Sequence, residues 1–216
     1  LKSSSFLNID DFIAKTVHEQ SFRKIFLICD AAGSGKTTLL KKIHEIFKEK
    51  YEDHWISFIS LRDYVNELSV GLVSNFKEFM IKMLNLGELE LTIFSQKLAK
   101  GEVKILFDGY DEISHVCKEN TLQLFTLFKS FNSNQIFITS RTYLERNLEK
   151  VLGTPAYSLK VLVDSEQIQF LIETWKDSNE DSDFIKSSAE ALVEKISEIV
   201  STISSLIGLP LIVQGL

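Results

Sequence analysis

The residues best suited to chemistry follow a short apolar run near the start of the chain. That run, Ile25–Cys29, leads into the segment DAAGSGKT at residues 30–37, after which apolar residues recur at helical spacing. The two glycines of this segment let successive backbone N–H groups face one anion, and the helix start adds unpaired N–H groups and a positive dipole end. Lys36 would bring a full charge to the β- and γ-phosphates, and Thr37 a hydroxyl ligand for Mg²⁺. The sequence therefore predicts a strand, a phosphate-binding loop and a helix.

The first position of this loop departs from the usual pattern G-x-x-x-x-G-K-[ST], because Asp30 replaces glycine. Aspartate tolerates a left-handed backbone better than most residues, so the turn remains accessible, but a carboxylate near phosphate opposes binding. Both tight and weak nucleotide binding are compatible with such a loop. The residues predicted to contact the nucleotide here are Asp30, Ala31, Ala32, Gly33, Ser34, Gly35, Lys36, Thr37 and Thr38.

A run of acidic residues follows a second apolar segment. Residues 103–107 lead directly into Asp108, and Asp111 and Glu112 come shortly after it. We predict that Asp108 holds Mg²⁺ through the water shell of the metal. Because a carboxylate without a metal to hold can accept a proton, Asp111 or Glu112 would polarise the water that attacks the γ-phosphate. Of these two residues we favour Glu112.

A basic residue ends a third apolar segment, Gln135–Ser140. Arg141 is predicted to stabilise charge on the γ-phosphate, with an ordinary surface arginine as the alternative. The candidate catalytic residues are thus Asp111, Glu112 and Arg141, and the candidate Mg²⁺ ligands are Thr37 and Asp108.

The wider pattern of the chain predicts how these residues are positioned. Strands are expected at residues 25–29, 54–61, 103–107, 135–140 and 157–162, with helices at 36–51, at 76–100 with a break around Gly87, and at 118–131. Such alternation is typical of an α/β fold in which a parallel five-stranded sheet lies between two layers of helices. Ligands of these folds bind at the carboxyl ends of the strands, where the loop, the acidic run and Arg141 would all lie.

Three regions are predicted along the chain. Residues 1–24 form a lead-in or linker, residues 25–162 form the α/β nucleotide-binding domain, and residues 163–216 begin a small helical domain. In the last region, Asp164 and Gln167 resemble a capping box, and residues 184–207 have the spacing of an amphipathic helix. Since the chain does not begin with Met and stops before its last element would end, we expect it to be a piece of a longer protein.

Composition narrows the class of partner and the compartment. The 24 basic and 30 acidic residues give a net charge of −6, which disfavours a nucleic-acid partner. Cys29 and Cys117 lack metal or redox spacing, which favours free thiols in a reducing compartment. The four histidines are scattered, so no metal site built from protein ligands alone is predicted. Without a signal-peptide pattern or an apolar run long enough to span a membrane, the chain is expected to be cytoplasmic.

Four stretches resemble, in order, blocks of the NACHT domains of STAND-class signalling NTPases, the class that includes NOD-like receptors. They are GSGKTTLLKK at residues 33–42, ISFISLRD at 56–63, ILFDGYDE at 105–112 and IFITSR at 136–141. The most discriminating feature is the small Gly109 directly after Asp108, with Asp111 and Glu112 beyond it, whereas most related ATPases place a glutamate directly after the aspartate. Residues 208–211 are similar to the GLPL segment of the first helical domain in this class.

This resemblance implies a P-loop NTPase, with Walker A and Walker B motifs, that binds ATP or ADP with Mg²⁺. It also implies that Pro210 lies near the base and that ADP is held between the sheet domain and the helical domain. Exchange of ADP for ATP would favour an open state that forms a homo-oligomer, and slow ATP hydrolysis would return the protein to the closed state. Further domains would bind protein partners in signal transduction or innate immunity. Adenine is favoured independently, because no Asn-Lys-x-Asp run, the usual guanine-reading signature, occurs.

Two other functions remain open on the sequence. A P-loop ATPase motor or small-molecule kinase would turn over rapidly, but a kinase lid requires several arginines, and between residues 141 and 160 only Arg146 joins Arg141. A degenerate scaffold that binds nucleotide poorly because of Asp30 is the third possibility.

Overall fold

A parallel β-sheet forms the centre of the chain. In the computed structural model, the described residues are 6–7, 24–69, 76–131, 134–159, 163–176 and 181–202. Their strands, in chain order, are β1 (Phe6–Leu7), β2 (Ile25–Cys29), β3 (Trp55–Ser60), β4 (Val103–Asp108), β5 (Gln135–Ser140) and β6 (Ala156–Leu159). The spatial order is β1-β6-β2-β5-β4-β3, and every neighbouring pair is parallel.

The central strands β2, β4 and β5 are buried almost throughout because both faces of the sheet are covered by helices. The helices within the described residues are α1 (Lys36–Lys50), α2 (Val65–Ser69), α3 (Phe76–Leu84), α4 (Glu88–Lys100), α5 (His115–Ser130), α6 (Glu145–Leu152), α7 (Asp164–Trp175) and α8 (Ser182–Thr202).

The two faces of the sheet bury different helices. On one face, α1 packs its apolar stripe on the sheet through Leu39, Leu40, Ile43 and Phe47, against Phe26, Ile28, Leu106 and Phe137. On the other face, α4, α5 and α6 contribute Phe94, Phe125, Phe128 and Leu148 to a core that includes Leu27, Ile105, Phe107 and Ile138. The result is three layers, helix on sheet on helix.

The predicted fold class is therefore confirmed, with differences in detail. The five predicted strands are present, and the two-residue β1 adds a further strand beside β6. The fifth predicted strand corresponds to β6, which begins one residue earlier than predicted, and predicted residues 160–162 lie outside the described residues. Helix α5 begins at His115 and not at Lys118, because the hydroxyl of Ser114 accepts a hydrogen bond from the Cys117 N–H and caps the helix.

By internal contacts the chain divides into two compact units. The first comprises Leu1–Asp30 and Lys36–Leu159, and the second comprises Ala31–Gly35 and Lys160–Leu216. Within the second unit, α7 and α8 pack through Leu171, Ala189 and Val193. No helix among the described residues is long and apolar enough to cross a membrane.

The predicted capping box of α7 is wrong by one residue. Val163 occupies the N-cap position, and its N–H donates to Glu166 Oε2 at 3.0 Å. Glu166, three residues after the N-cap, thus accepts the hydrogen bond that was predicted for Gln167. The predicted helix over residues 184–207 corresponds to α8, and residues 203–207 lie outside the described residues.

Candidate functional site

A hydrogen bond joins the start of α1 to the end of β4. Thr37, the second residue of α1, donates from Oγ1 to Asp108 Oδ2 at 2.8 Å. Asp108 is the last residue of β4 and follows five buried residues, so its carboxylate lies where the strand leaves the core. Because α1 packs on the same sheet through its buried stripe, its first turn is held beside this strand end. The structure thus brings together the two predicted Mg²⁺ ligands.

Lys36 lies half-buried among the acidic residues of this edge. Its Nζ donates to the backbone carbonyl of Asp30 at 3.1 Å. Burial lowers the pKa of Lys36, and the carboxylates of Asp111 and Asp30 oppose this shift by favouring the charged amine. The ammonium group of Lys36 is therefore held close to carboxylates at the edge where the strands end, and Arg141 adds a second positive charge there.

The segment Ala31–Gly35 connects β2 to α1 along the chain and contains the backbone geometry that its glycines predict. Gly33 has φ 73° and Gly35 has φ 90°, both in the left-handed region that residues with a Cβ rarely adopt. The Ser34 N–H donates to the Ala31 carbonyl at 3.4 Å, which makes the segment a tight turn. A Cβ added at Gly35 would meet nothing within 4 Å, so at this position the backbone conformation, and not crowding, requires glycine.

The carboxylate of Asp30 is engaged by β6. Its Oδ2 accepts a hydrogen bond from the Leu159 N–H at 2.8 Å, and the Asp30 N–H donates to the Ser140 carbonyl at 3.2 Å. This carboxylate therefore has a structural partner within the sheet, and its predicted opposition to phosphate binding stays a prediction. Asp30 links the end of β2 to the last residue of β6 and to the last residue of β5.

The acidic residues after β4 have two different environments. Asp111 is only 6% exposed at its side chain, and its Oδ2 lies 2.8 Å from Arg141 Nε. Glu112 is 44% exposed, and its Oε2 lies 4.0 Å from Arg62 Nη1. The candidate catalytic residues Asp111 and Arg141 therefore form a close ion pair, whereas Glu112 faces solvent beside a more distant arginine.

Sequence reasoning missed Thr139, which the structure places between the strand ends. Its Oγ1 donates to Asp108 Oδ1 at 2.6 Å and accepts from the Gly109 N–H at 3.0 Å. The available signal was a polar side chain that directly follows the three apolar residues of a central strand. Threonine is also a common strand residue, so this signal does not separate a site residue from a structural one.

The remaining residues singled out from the sequence are Ala31, Ala32, Thr38, Pro210 and the two cysteines. Ala31, Ala32 and Thr38 are exposed, and Pro210 lies outside the described residues. Cys29 and Cys117 are both buried free cysteines, and burial raises the pKa of Cys29 to about 12. Among the described residues, no group of three or more His, Cys, Asp or Glu side chains is arranged to hold a metal ion.

The three-layer fold, the glycine turn before α1 and the Thr37–Asp108 contact define the class of the protein as a P-loop NTPase. The sequence profile of the NACHT domain matches residues 25–178, which is most of the chain. The chain therefore belongs to the NACHT family of nucleotide-binding P-loop NTPase domains.

Solved structures of low sequence identity have a similar fold. Domain III of the Thermotoga maritima replication initiation protein DnaA is 16% identical, with a TM-score of 0.55, and the match covers 97% of this chain and 89% of that one. AMPPCP-bound DnaA from Aquifex aeolicus is 16% identical with a TM-score of 0.52, covering 93% and 62%. A DNA replication initiation factor is 16% identical with a TM-score of 0.51, covering 92% and 63%, so this chain spans less than two thirds of that protein. No curated protein sequence matches the chain.

Proposed function

We propose that this NACHT domain binds ATP and ADP with Mg²⁺ and acts as a nucleotide-dependent switch that hydrolyses ATP slowly. The observation that carries the proposal is the 2.8 Å hydrogen bond between Thr37 and Asp108, next to the half-buried Lys36. In this arrangement one hydroxyl, one carboxylate and one ammonium group converge on the edge where the strands end. A nucleotide polyphosphate with its metal requires these three kinds of group.

The donor set fits Mg²⁺. Mg²⁺ prefers hard oxygen ligands and is usually held by one or two protein oxygens, with phosphate oxygens and water completing its shell. Thr37 Oγ1 and Asp108 Oδ2 already lie within hydrogen-bond distance of each other, so both oxygens are available on one side of the strand end. When bound, the metal would neutralise charge on the β- and γ-phosphates, with Thr37 as a direct ligand and Asp108 holding its water shell.

The hydrolytic residues divide by environment. Asp111 is engaged by Arg141, so its carboxylate is better placed to orient the guanidinium than to accept a proton from water. Glu112 is exposed and separated from Arg62 by 4.0 Å, which leaves it the better general base. Arg141 would then stabilise the charge on the γ-phosphate, and Glu112 would polarise the attacking water.

The switch itself rests on a difference in affinity between two states. A γ-phosphate with its metal can bias a protein with two states of similar energy. Reversing a population from 1:99 to 99:1 needs about 5.5 kcal/mol of differential binding, which several charge-assisted phosphate contacts together can supply. The ATP state is proposed to form a homo-oligomer and to signal from the cytoplasm through protein partners. The net charge of −6 favours partners of that kind over nucleic acid.

The nucleotide released when the purified protein is denatured tests this proposal. Bound ADP is expected from the wild type, and none from Lys36→Ala, because the Lys36 charge is the main attraction for phosphate. Lys41→Ala, an exposed lysine on α1, is the matched control and should retain ADP. An empty wild-type site would favour a degenerate scaffold, and steady-state turnover at or above roughly 10 per second would favour a motor or kinase.

A further inference from the structure

The hydroxyl of Thr139 connects two strand ends. Thr139 is 1% exposed and lies in β5, between β2 on one side and β4 on the other. Its Oγ1 donates to Asp108 Oδ1 at 2.6 Å, and the same oxygen accepts from the Gly109 N–H at 3.0 Å. A single buried hydroxyl thus contacts both the last residue of β4 and the first residue of the turn that follows.

The first of these contacts fixes the plane of the Asp108 carboxylate. Oδ1 is held by Thr139 and Oδ2 by Thr37, so the two carboxylate oxygens are bonded to residues from different elements. Rotation of the carboxylate would break both hydrogen bonds, each of the strong kind that involves a charged acceptor. The direction in which Asp108 presents its lone pairs is therefore set from β5 as well as from α1.

The second contact fixes the turn that follows β4. Gly109 has φ 79°, a left-handed conformation that favours glycine, and a Cβ added there would approach the side chain of Glu112 to 3.2 Å. The Glu112 N–H donates to the Gly109 carbonyl at 3.0 Å, which closes the turn. Because Thr139 holds the Gly109 N–H, it also anchors the segment that carries Asp111 and Glu112.

We propose that Thr139 is a positioning residue that orients the Asp108 carboxylate for Mg²⁺ and anchors the Gly109 turn. The proposal rests on the function proposed above, since it assigns a task to Thr139 at that same site. Thr139 acts through Asp108 and Gly109 and does not itself contact nucleotide. Its contribution depends on the hydroxyl and not on the volume of the side chain.

Two substitutions of Thr139 separate the effect of its hydroxyl from that of its side-chain volume. Thr139→Val keeps the shape and removes the hydroxyl, whereas Thr139→Ser keeps the hydroxyl and removes the methyl group. Ser140→Ala is the matched control, because the Ser140 hydroxyl is buried on the next residue and has no hydrogen-bond partner among the described residues. Thr139→Ala provides a second hydroxyl-free variant if Thr139→Val does not fold, with melting followed by circular dichroism.

Fluorescent ADP and ATP binding is measured in EDTA and across a Mg²⁺ titration. For Thr139→Val we expect nucleotide affinity in EDTA within about twofold of the wild type and a Mg²⁺ midpoint raised about tenfold, because a charge-assisted bond that orients the metal-holding carboxylate is lost. Thr139→Ser should stay within about threefold of the wild-type midpoint, and Ser140→Ala should match it. An unchanged midpoint in Thr139→Val overturns the proposal, and so does an equal shift in Thr139→Ser.

Amide hydrogen exchange at Gly109 gives a reading that requires no nucleotide. Exchange at this amide should accelerate at least tenfold in Thr139→Val and not in Thr139→Ser, because only the first loses the acceptor. Unchanged exchange overturns the anchoring of the turn. If the wild type binds no nucleotide with or without Mg²⁺, the proposed function fails and the metal-orienting part of the inference fails with it, while Gly109 exchange still decides whether Thr139 anchors the turn.

Discussion

The Nε atom of Arg141 lies 2.8 Å from Oδ2 of Asp111, which joins the residue after β5 to the turn after β4. The Asp111 side chain is 6% exposed and the Arg141 side chain 47% exposed, so the acid is the buried partner and the arginine extends toward solvent. This contact uses Nε, and the guanidinium carries four further N–H donors on its two Nη atoms. Asp111 thus fixes the orientation of a group whose remaining donors can bind an anion.

Replacing Arg141 should reduce the preference for ATP over ADP. In Arg141→Ala we expect ATP affinity to fall about tenfold while ADP affinity changes by less than about twofold, because the lost charge-assisted contact is to the γ-phosphate. Competition titrations of both nucleotides measure the ratio. Arg146→Ala, an exposed arginine on α6, is the control, and an unchanged ATP:ADP ratio in Arg141→Ala would rule out the γ-phosphate contact.

Substitutions of Glu112 and Asp111 should have different effects on nucleotide binding and hydrolysis. Glu112→Gln is expected to keep ATP affinity and to slow single-turnover hydrolysis by roughly a hundredfold or more, because the amide cannot accept a proton from water. Asp111→Asn should instead resemble Arg141→Ala in its ATP:ADP ratio, because it releases the arginine. Full hydrolysis in Glu112→Gln would transfer the role of general base to Asp111 or to another residue.

Asp30 is expected to matter more for stability than for nucleotide affinity. Asp30→Ala removes the acceptor of the Leu159 N–H and should lower the free energy of unfolding by about 1–3 kcal/mol. Asp30→Asn keeps an oxygen in the same position and should lower it by less. Urea unfolding and nucleotide titration of both variants test this expectation. A gain in affinity above about tenfold with unchanged stability would show that the carboxylate acts mainly on phosphate.

The sequence predicted the parts of the fold that depend on local pattern. Strands β2, β4 and β5 are buried on both faces, so each contains a run of at least three consecutive apolar residues, and the polar residues at or after their ends mark one edge of the sheet. The proximity of Thr37 to Asp108 could be predicted, because a phosphate-binding loop and an acidic residue at a strand end are both expected at that edge. The two-residue β1 could not be predicted from the sequence, because a strand of that length shows no periodicity of apolar residues.

The missed contacts join residues distant in sequence. Thr139 and Asp108 are 31 residues apart, and Leu159 and Asp30 are 129 residues apart. Each depends on which strands are neighbours, and the order β6-β2-β5-β4 does not follow the order along the chain. The predicted roles of Asp111, Glu112 and Arg141 remain predictions, but their different environments now give each residue a distinct test.

Lys104 is a buried cation whose partners lie on neighbouring elements. It is 7% exposed within β4, its Nζ donates to Gln135 Oε1, and the same Nζ lies 4.5 Å from the ring centre of Tyr51 and 5.4 Å from that of Phe47. Burial lowers the pKa of Lys104 to about 8. His54, whose own pKa is lowered by burial and by the nearby charge of Lys104, is a further titratable group beside it.

The free energy of unfolding should therefore rise as the pH increases from about 8 to about 10.5. In this window Lys104 binds a proton in the unfolded chain and not in the folded protein, so raising the pH favours the folded state. A shift of this size corresponds to at most about 3 kcal/mol. The attraction of the charged amine to the two rings and to Gln135 reduces that value.

Lys104→Met isolates this contribution, because methionine fills a similar volume and does not titrate. Urea unfolding of the wild type and of Lys104→Met is compared from pH 7 to pH 10.5, so that titration of tyrosines and other lysines cancels in the difference. We expect the stability of Lys104→Met relative to the wild type to decrease by about 1–3 kcal/mol across the window. Lys41→Met, which replaces an exposed lysine, should follow the wild-type curve. Parallel curves for Lys104→Met and the wild type would mean that Lys104 remains charged in the folded protein, held by Gln135 and the two aromatic rings.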